Sequence, residues 1–137
     1  MFKKYPHLER FGAEEVNGIE MGTCYVFPKI DGTNASVWLE NGGLGAGSRN
    51  RTLTLDSDNH GFCEYVSKSE ALKNFFLENP TYRLYGEWLV PHALKTYRED
   101  AWRKFYIFDV FDDAKDCFIP YEEYKSLLEE AGLEYIP

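Results

Sequence analysis

The chain has 137 residues, 44% of them hydrophobic and 17% aromatic, and a formal charge of −8. That length supports one domain with a real core and excludes two. The acidic balance excludes a protein that coats nucleic acid through a general positive field, so any polynucleotide contact must be local.

Two short stretches rich in β-branched and aromatic residues come first, "TCYVFPKI" and "TNASVWLEN". Both read as strands, and the second runs into Asn41-Gly42-Gly43, a turn signal, before "LGAGSRNRTL" resumes, which predicts an antiparallel hairpin. From Gly61 to Glu78 the apolar residues recur at helical spacing and stop at Asn79-Pro80, which predicts one helix or two short ones. "YRLYGEWLV" and "RKFYIFDVFD" return to strand chemistry. "PYEEYKSLLEEAG" then has proline at a helix start and Gly132 as a stop, with a final strand expected at "LEYI". The sum is an α+β fold, antiparallel β-sheets with flanking helices, over a single unit spanning residues 1–137. No apolar run reaches membrane-spanning length, and "MFKKYPHLER" lacks the apolar stretch of a secretory signal. The expectation is a soluble, cytoplasmic protein with no membrane partner.

Several familiar sites are excluded. "NGGLGAGS" is glycine-rich, as phosphate loops are, but no Gly-Lys-Ser/Thr follows and no helix pattern begins there, so a bulged hairpin turn is the reading. His7, His60 and His92 are scattered without metal-ligand spacing and read as surface or capping residues. Cys24, Cys63 and Cys117 are odd in number and contain no C-x-x-C pair. They read as reduced, mostly buried apolar residues. The basic residues of "SRNR" and of the stretch from Lys95 to Lys104, interleaved there with Tyr97 and Trp102, read individually as solvated surface charge.

"FPKIDGTNASVW" carries the chemistry. Lys29 follows an apolar strand and precedes Asp31-Gly32, a tight-turn pair. A lysine ending such a strand is partly desolvated, which favours the neutral, nucleophilic amine. Gly32 would let backbone pass close to a ligand, and Asn34 would supply a donor and an acceptor. The competing reading is a hairpin lysine snorkelling into water, and these residues alone do not choose.

"KIDGTN" resembles the nucleotidyl-lysine motif of the covalent nucleotidyltransferases, which include ATP-dependent RNA ligases, DNA ligases and mRNA capping enzymes. Three further elements follow in that family's order: "SRNR", "YGEW" with its glutamate, and "FYIFDV". Asn34 and the segment "YGEWLVPH" look most like RNA ligases, particularly the phage and bacterial double-strand-repair branch. The resemblance implies a nucleotidyltransferase (ATP-grasp-like ligase) domain that joins RNA ends, in a nicked duplex for that branch, through a lysyl-AMP intermediate, with ATP and magnesium. A phage source would place it in the host cytoplasm. By the same resemblance Lys29 is the nucleophile, Asn34 and Arg49 contact ribose and phosphate, and Arg51 is a weaker candidate for phosphate or RNA. Glu87 accepts hydrogen bonds from ribose hydroxyls, Phe108 stacks on adenine, and backbone near Ile30 reads the base edge. The competing readings are surface charge for Arg49, a cross-strand partner for Glu87 and core packing for Phe108.

The resemblance runs from Val26 to Asp112. Two later elements of the family, a metal-associated glutamate and a lysine pair on a strand, have no counterpart between Asp113 and Pro137. The expectation is a C-terminally truncated, partial adenylyltransferase domain, catalytically incomplete alone. An unpaired sheet edge would then invite self-association or a complementing segment. The alternatives are a non-catalytic module binding a nucleotide or RNA end, or a DNA ligase or capping-type enzyme.

Overall fold

A computed structural model describes residues 1–137 and contains one antiparallel sheet of six strands. These are β1 (Thr33–Glu40), β2 (Gly43–Gly47), β3 (Thr52–Leu53), β4 (Tyr82–Trp88), β5 (Phe105–Asp112) and β6 (Cys117–Phe118), in the spatial order β3-β2-β1-β4-β5-β6. Helices α1 (Phe62–Lys68), α2 (Glu70–Glu78) and α3 (Tyr121–Ala131) pack against one face. The fold class is therefore the one expected.

Local chemistry explains the boundaries. Asn41 and Gly42 close the hairpin between β1 and β2, with Gly42 at a φ of 86° that side chains other than glycine rarely adopt. Ser69 is extended, with a ψ of 108°, and this splits the apolar run into two helices. Its hydroxyl also accepts the Leu72 N–H, capping α2. Gly132, at a φ of 70°, ends α3.

The helix-covered face holds the core. Ala35 and Val37 of β1, Leu84 and Trp88 of β4, and Phe105, Ile107 and Val110 of β5 meet Phe62, Val66, Leu72, Phe75, Phe76, Tyr124 and Leu128 of the helices. Alternation along β1 and β4 sends Asn34, Ser36, Trp38, Tyr85 and Glu87 to the opposite face.

Three expectations fail. "TCYVFPKI" is not a strand: residues 23–31 lie outside every element and are mostly exposed. β1, the strand that follows them, already pairs with β2 on one side and β4 on the other, so no edge remains for a segment whose composition alone suits a strand. "LEYI" makes only an isolated parallel bridge, in which the Ile107 N–H donates to the Glu134 carbonyl at 3.1 Å and the Ile136 N–H to the Ile107 carbonyl at 2.9 Å. Cys24 and Cys117 are exposed and Cys63 is half-buried, because Cys24 lies in the unpaired segment and Cys117 on an edge strand. The sheet ends in two-residue strands on both sides, β3 beside Ala46 and Gly47 and β6 beside Phe111 and Asp112.

Candidate active site

The face away from the helices gathers the sequence-predicted residues. In the β1–β4 register Asn34 lies opposite Glu87, and in the β4–β5 register Glu87 lies opposite Tyr106, so the three form a row across the sheet. Glu87 is half-buried. Burial pushes its carboxyl above the usual glutamate range, while the Gly32 N–H, Arg49 and Lys29 pull it back down and Asp31 adds to the rise. Two of the three predicted cations, Lys29 and Arg49, thus favour its charged form.

Phe108 reaches this face through an irregularity. Tyr85 pairs with Asp109 but Gly86 pairs with Ile107, so one residue of β5 is extra. Such a bulge re-aims side chains. Here it takes both Phe108 and Asp109 off the core face, and Phe108 has no place in the hydrophobic cluster that contains Ile107 and Val110. Core packing, the competing reading, is thus not what Phe108 does. Gly86 permits the crossing, since a Cβ there would strike the Tyr106 carbonyl.

Lys29 sits in the unpaired segment, exposed, not at the end of a buried strand. What fixes its neighbourhood is the turn after it. The Gly32 N–H donates to Glu87 Oε1 at 3.1 Å, and a Cβ on Gly32 would collide with the Trp88 carbonyl, so only glycine allows this approach. The Asp31 N–H donates to the Tyr97 hydroxyl at 2.9 Å, and Asp31 Oδ2 accepts the Leu94 N–H at 2.7 Å. Ile30, beside the lysine, is half-buried.

The two arginines of "SRNR" separate. The Arg51 guanidinium donates to the Ser57 carbonyl at 2.7 Å, the Ser57 hydroxyl at 3.0 Å and the Asp58 carbonyl at 3.1 Å, tying down its own loop. Arg49 is exposed and acts on Glu87. The glycines of the neighbouring run make room for rings: a Cβ at Gly45 would enter the Trp38 indole, and one at Gly47 would lie 2.9 Å from the Phe2 ring.

Five participants were not assigned to the site from sequence. Residues 1–5 form a strap across the open face, with Phe2 edge-on to Trp38 and Tyr5 packed on Tyr85 and Phe108, both at 5.1 Å between centroids. The Tyr5 hydroxyl donates to Asp109 Oδ2 at 2.7 Å. Burial raises Asp109 to about 6, against the pull of the Tyr5 hydroxyl and the Val110 N–H. Tyr97 and His92 hold Asp31, the latter through Nδ1 at 3.2 Å from Oδ1. The mixed aromatic and basic stretch from Lys95 to Lys104 hinted at Tyr97 only, and His92, read from sequence as a surface or capping residue, lies before it.

This architecture is that of solved RNA ligases. An archaeal ATP-dependent RNA ligase matches with a TM-score of 0.65 and 23% identity over 80% of this chain and 29% of its own. Naegleria gruberi RNA ligase, solved as a K170A mutant with ATP and Mn, matches with a TM-score of 0.61 and 21% identity over 81% of this chain and 34% of its own. The same ligase as an E312A mutant with AMP and Mn gives a TM-score of 0.61 at 22% identity, again over 81% and 34%. The chain thus spans about a third of the length of these structures, and at such identities the likeness is one of fold. The family is settled by sequence: the profile described as RNA ligase matches residues 22–137, and the chain belongs to the RNA ligase family. No curated protein sequence matches it.

Proposed function

We propose that this chain carries the lysine-bearing, nucleotide-binding part of an ATP-dependent RNA ligase's nucleotidyltransferase domain. One observation carries the reading: the Gly32 N–H to Glu87 bond joins the turn after Lys29 to the face that holds Asn34, Glu87 and Phe108. Lys29 as free amine would attack the α-phosphorus of ATP. An N–P bond forms, the bond from that phosphorus to the bridging oxygen breaks, pyrophosphate leaves with the electron pair, and the amine proton passes to solvent. The AMP then activates an RNA 5′-phosphate for attack by a 3′-hydroxyl, at free ends or at a nick.

The chain's residues supply binding and orientation. Phe108 offers a ring face for adenine, Glu87 and Asn34 offer acceptors and a donor for ribose, and Arg49 offers charge for phosphate. Asp31 and Glu87 are the carboxylates beside Lys29, and no group of three metal-binding side chains occurs. That fits a magnesium or manganese ion held largely by the nucleotide's own phosphates, with one or two carboxylates assisting. Such an ion supplies neutralisation of phosphate charge.

The test is incubation with α-labelled ATP and gel analysis for an acid-labile covalent adduct. With a segment carrying the metal-associated glutamate and the lysine pair supplied in trans, label on the wild type and none on Lys29→Ala is the expected result, and the chain alone should label little; label that persists on Lys29→Ala would falsify the assignment. Glu87→Gln should narrow the preference for ATP over dATP, and equal loss for both nucleotides argues against a ribose contact. The exposure of Lys29 favours a second reading, a module that binds the nucleotide or RNA end without reacting; ATP binding with no adduct would select it.

A further inference from the structure

We propose that the loop from Pro91 to Lys104 is a clamp on the Lys29–Gly32 turn, with Tyr97 as the principal positioning residue for the lysine and His92 as a lesser one. The inference rests on the reading of Lys29 as nucleophile and adds to it a means of holding that lysine.

The need for a clamp follows from the failure of the predicted strand. Residues 23–31 have no strand partner, so before the Gly32 N–H reaches Glu87 no sheet hydrogen bond orders this backbone, and ahead of Lys29 it is held only by side chains, the Tyr25 hydroxyl on Glu122 at 2.6 Å and the Phe27 ring on Tyr121 at 5.1 Å. A reacting group must nonetheless be held closely, since a displacement of about 1 Å can cost roughly a hundredfold in rate. The Glu87 link is to Gly32; the hydrogen bonds to Asp31 itself come from this loop: the Tyr97 hydroxyl accepts its N–H at 2.9 Å, the Leu94 N–H reaches Oδ2 at 2.7 Å, and His92 Nδ1 lies 3.2 Å from Oδ1.

The loop is itself braced. Its neck is closed by the Leu89 N–H to the Lys104 carbonyl at 3.0 Å and the Arg103 N–H to the Leu89 carbonyl at 2.8 Å. Arg103 takes a φ of 57° to make that closure, an uncommon conformation for a residue with a side chain. The Tyr106 hydroxyl donates to the Ala101 carbonyl at 2.9 Å, tying the loop to the strand that carries Phe108. The Tyr97 ring stands edge-on to Trp102 at 5.3 Å and is half-buried, which fixes the hydroxyl in space. His92 is 67% exposed, and exposed pairs of this kind contribute little, so Tyr97 should dominate.

Amide exchange of Asp31, read by NMR without nucleotide, tests the clamp, and Tyr97→Phe is the variant of choice because it keeps the ring on Trp102. In the wild type the Asp31 amide should exchange at least about tenfold more slowly than an open amide. Tyr97→Phe should abolish that protection while β1 and β4 amides stay protected. With the segment carrying the glutamate and the lysine pair supplied in trans, the same variant at saturating ATP should form the lysyl-AMP adduct about tenfold more slowly, with the Kd for ATP within about twofold of wild type, whereas His92→Asn, which keeps a donor, should resemble wild type. An unprotected Asp31 amide in the wild type overturns the clamp, and so does an adduct rate unchanged in Tyr97→Phe. Because exchange is measured without ATP, absence of any adduct on the wild type counts against the ligase reading alone.

Discussion

The two faces of the sheet are built on different principles. On the helix side, apolar residues from three helices and five strands interlock, and each contributes through area removed from water. On the other side, polar groups, Glu87 and Asp109 half-buried and Tyr85 buried, are held by a few directional hydrogen bonds: Glu87 by the Gly32 N–H, Asp109 by the Tyr5 hydroxyl, Tyr85 by the Lys3 carbonyl at 2.9 Å. A core built from many small contacts loses stability in proportion to volume removed. A face built from few directional contacts loses function when one of them goes, often with little change in stability.

Substitution at Phe62 should produce the largest stability change. Its ring is fully buried and lies 5.1 Å from Phe105 and 5.4 Å from Trp88, so Phe62→Ala leaves a cavity that the sheet cannot fill. Urea unfolding should show a loss of about 3–5 kcal/mol. A loss below about 1 kcal/mol would mean that the helices are loosely seated.

Next comes the buried acid of the open face. Because burial holds Asp109 at about 6, the native chain keeps a proton that the unfolded chain has released. The stability tied to that proton is present below about pH 4 and is lost as the pH rises to about 6. Asp109→Asn should remove this pH dependence, with a difference from wild type of about 1–3 kcal/mol developing across that window. Parallel curves for the two proteins would contradict the burial of the carboxylate.

The smallest stability effect is expected where the functional effect is marked. Phe108→Ala should weaken ATP binding by about 1–3 kcal/mol through lost stacking, while lowering the unfolding free energy much less than Phe62→Ala does. If affinity holds and stability collapses, Phe108 belongs with the core and the division between the faces is wrong at that point.

The expectation of an alternating aromatic strand at "FYIFDVF" shows how far sequence could go. It located β5, but the extra residue that β5 carries opposite Tyr85 and Gly86 of β4 is a property of cross-strand register, which no run of residues carries by itself. "TCYVFPKI" shows the reverse error, since β-propensity reports how well side chains suit a pleated surface and says nothing about whether a partner edge is free. The strap of residues 1–5 lies 80 or more positions from Tyr85 and Phe108, and nothing in "MFKKY" announces that it crosses the sheet.

Sequence alone determined the order of the four motifs, the identity of Lys29, Asn34, Arg49, Glu87 and Phe108 as the residues to watch, the hairpin at Asn41-Gly42 and the helices closed at Asn79 and Gly132. The hairpin and the helix ends are local, set by turn residues, caps and periodicity within a few positions, whereas the site residues were legible only through the motifs' resemblance to the nucleotidyltransferases. Tertiary structure decided which face each residue occupies, the separation of Arg49 from the loop-bound Arg51, the bulge that frees Phe108 and the loop bonds that hold Asp31. These depend on register and on contacts between distant segments, because a hydrogen bond such as that from Asp31 to Tyr97 exists only once the chain has brought residues 66 positions apart within reach.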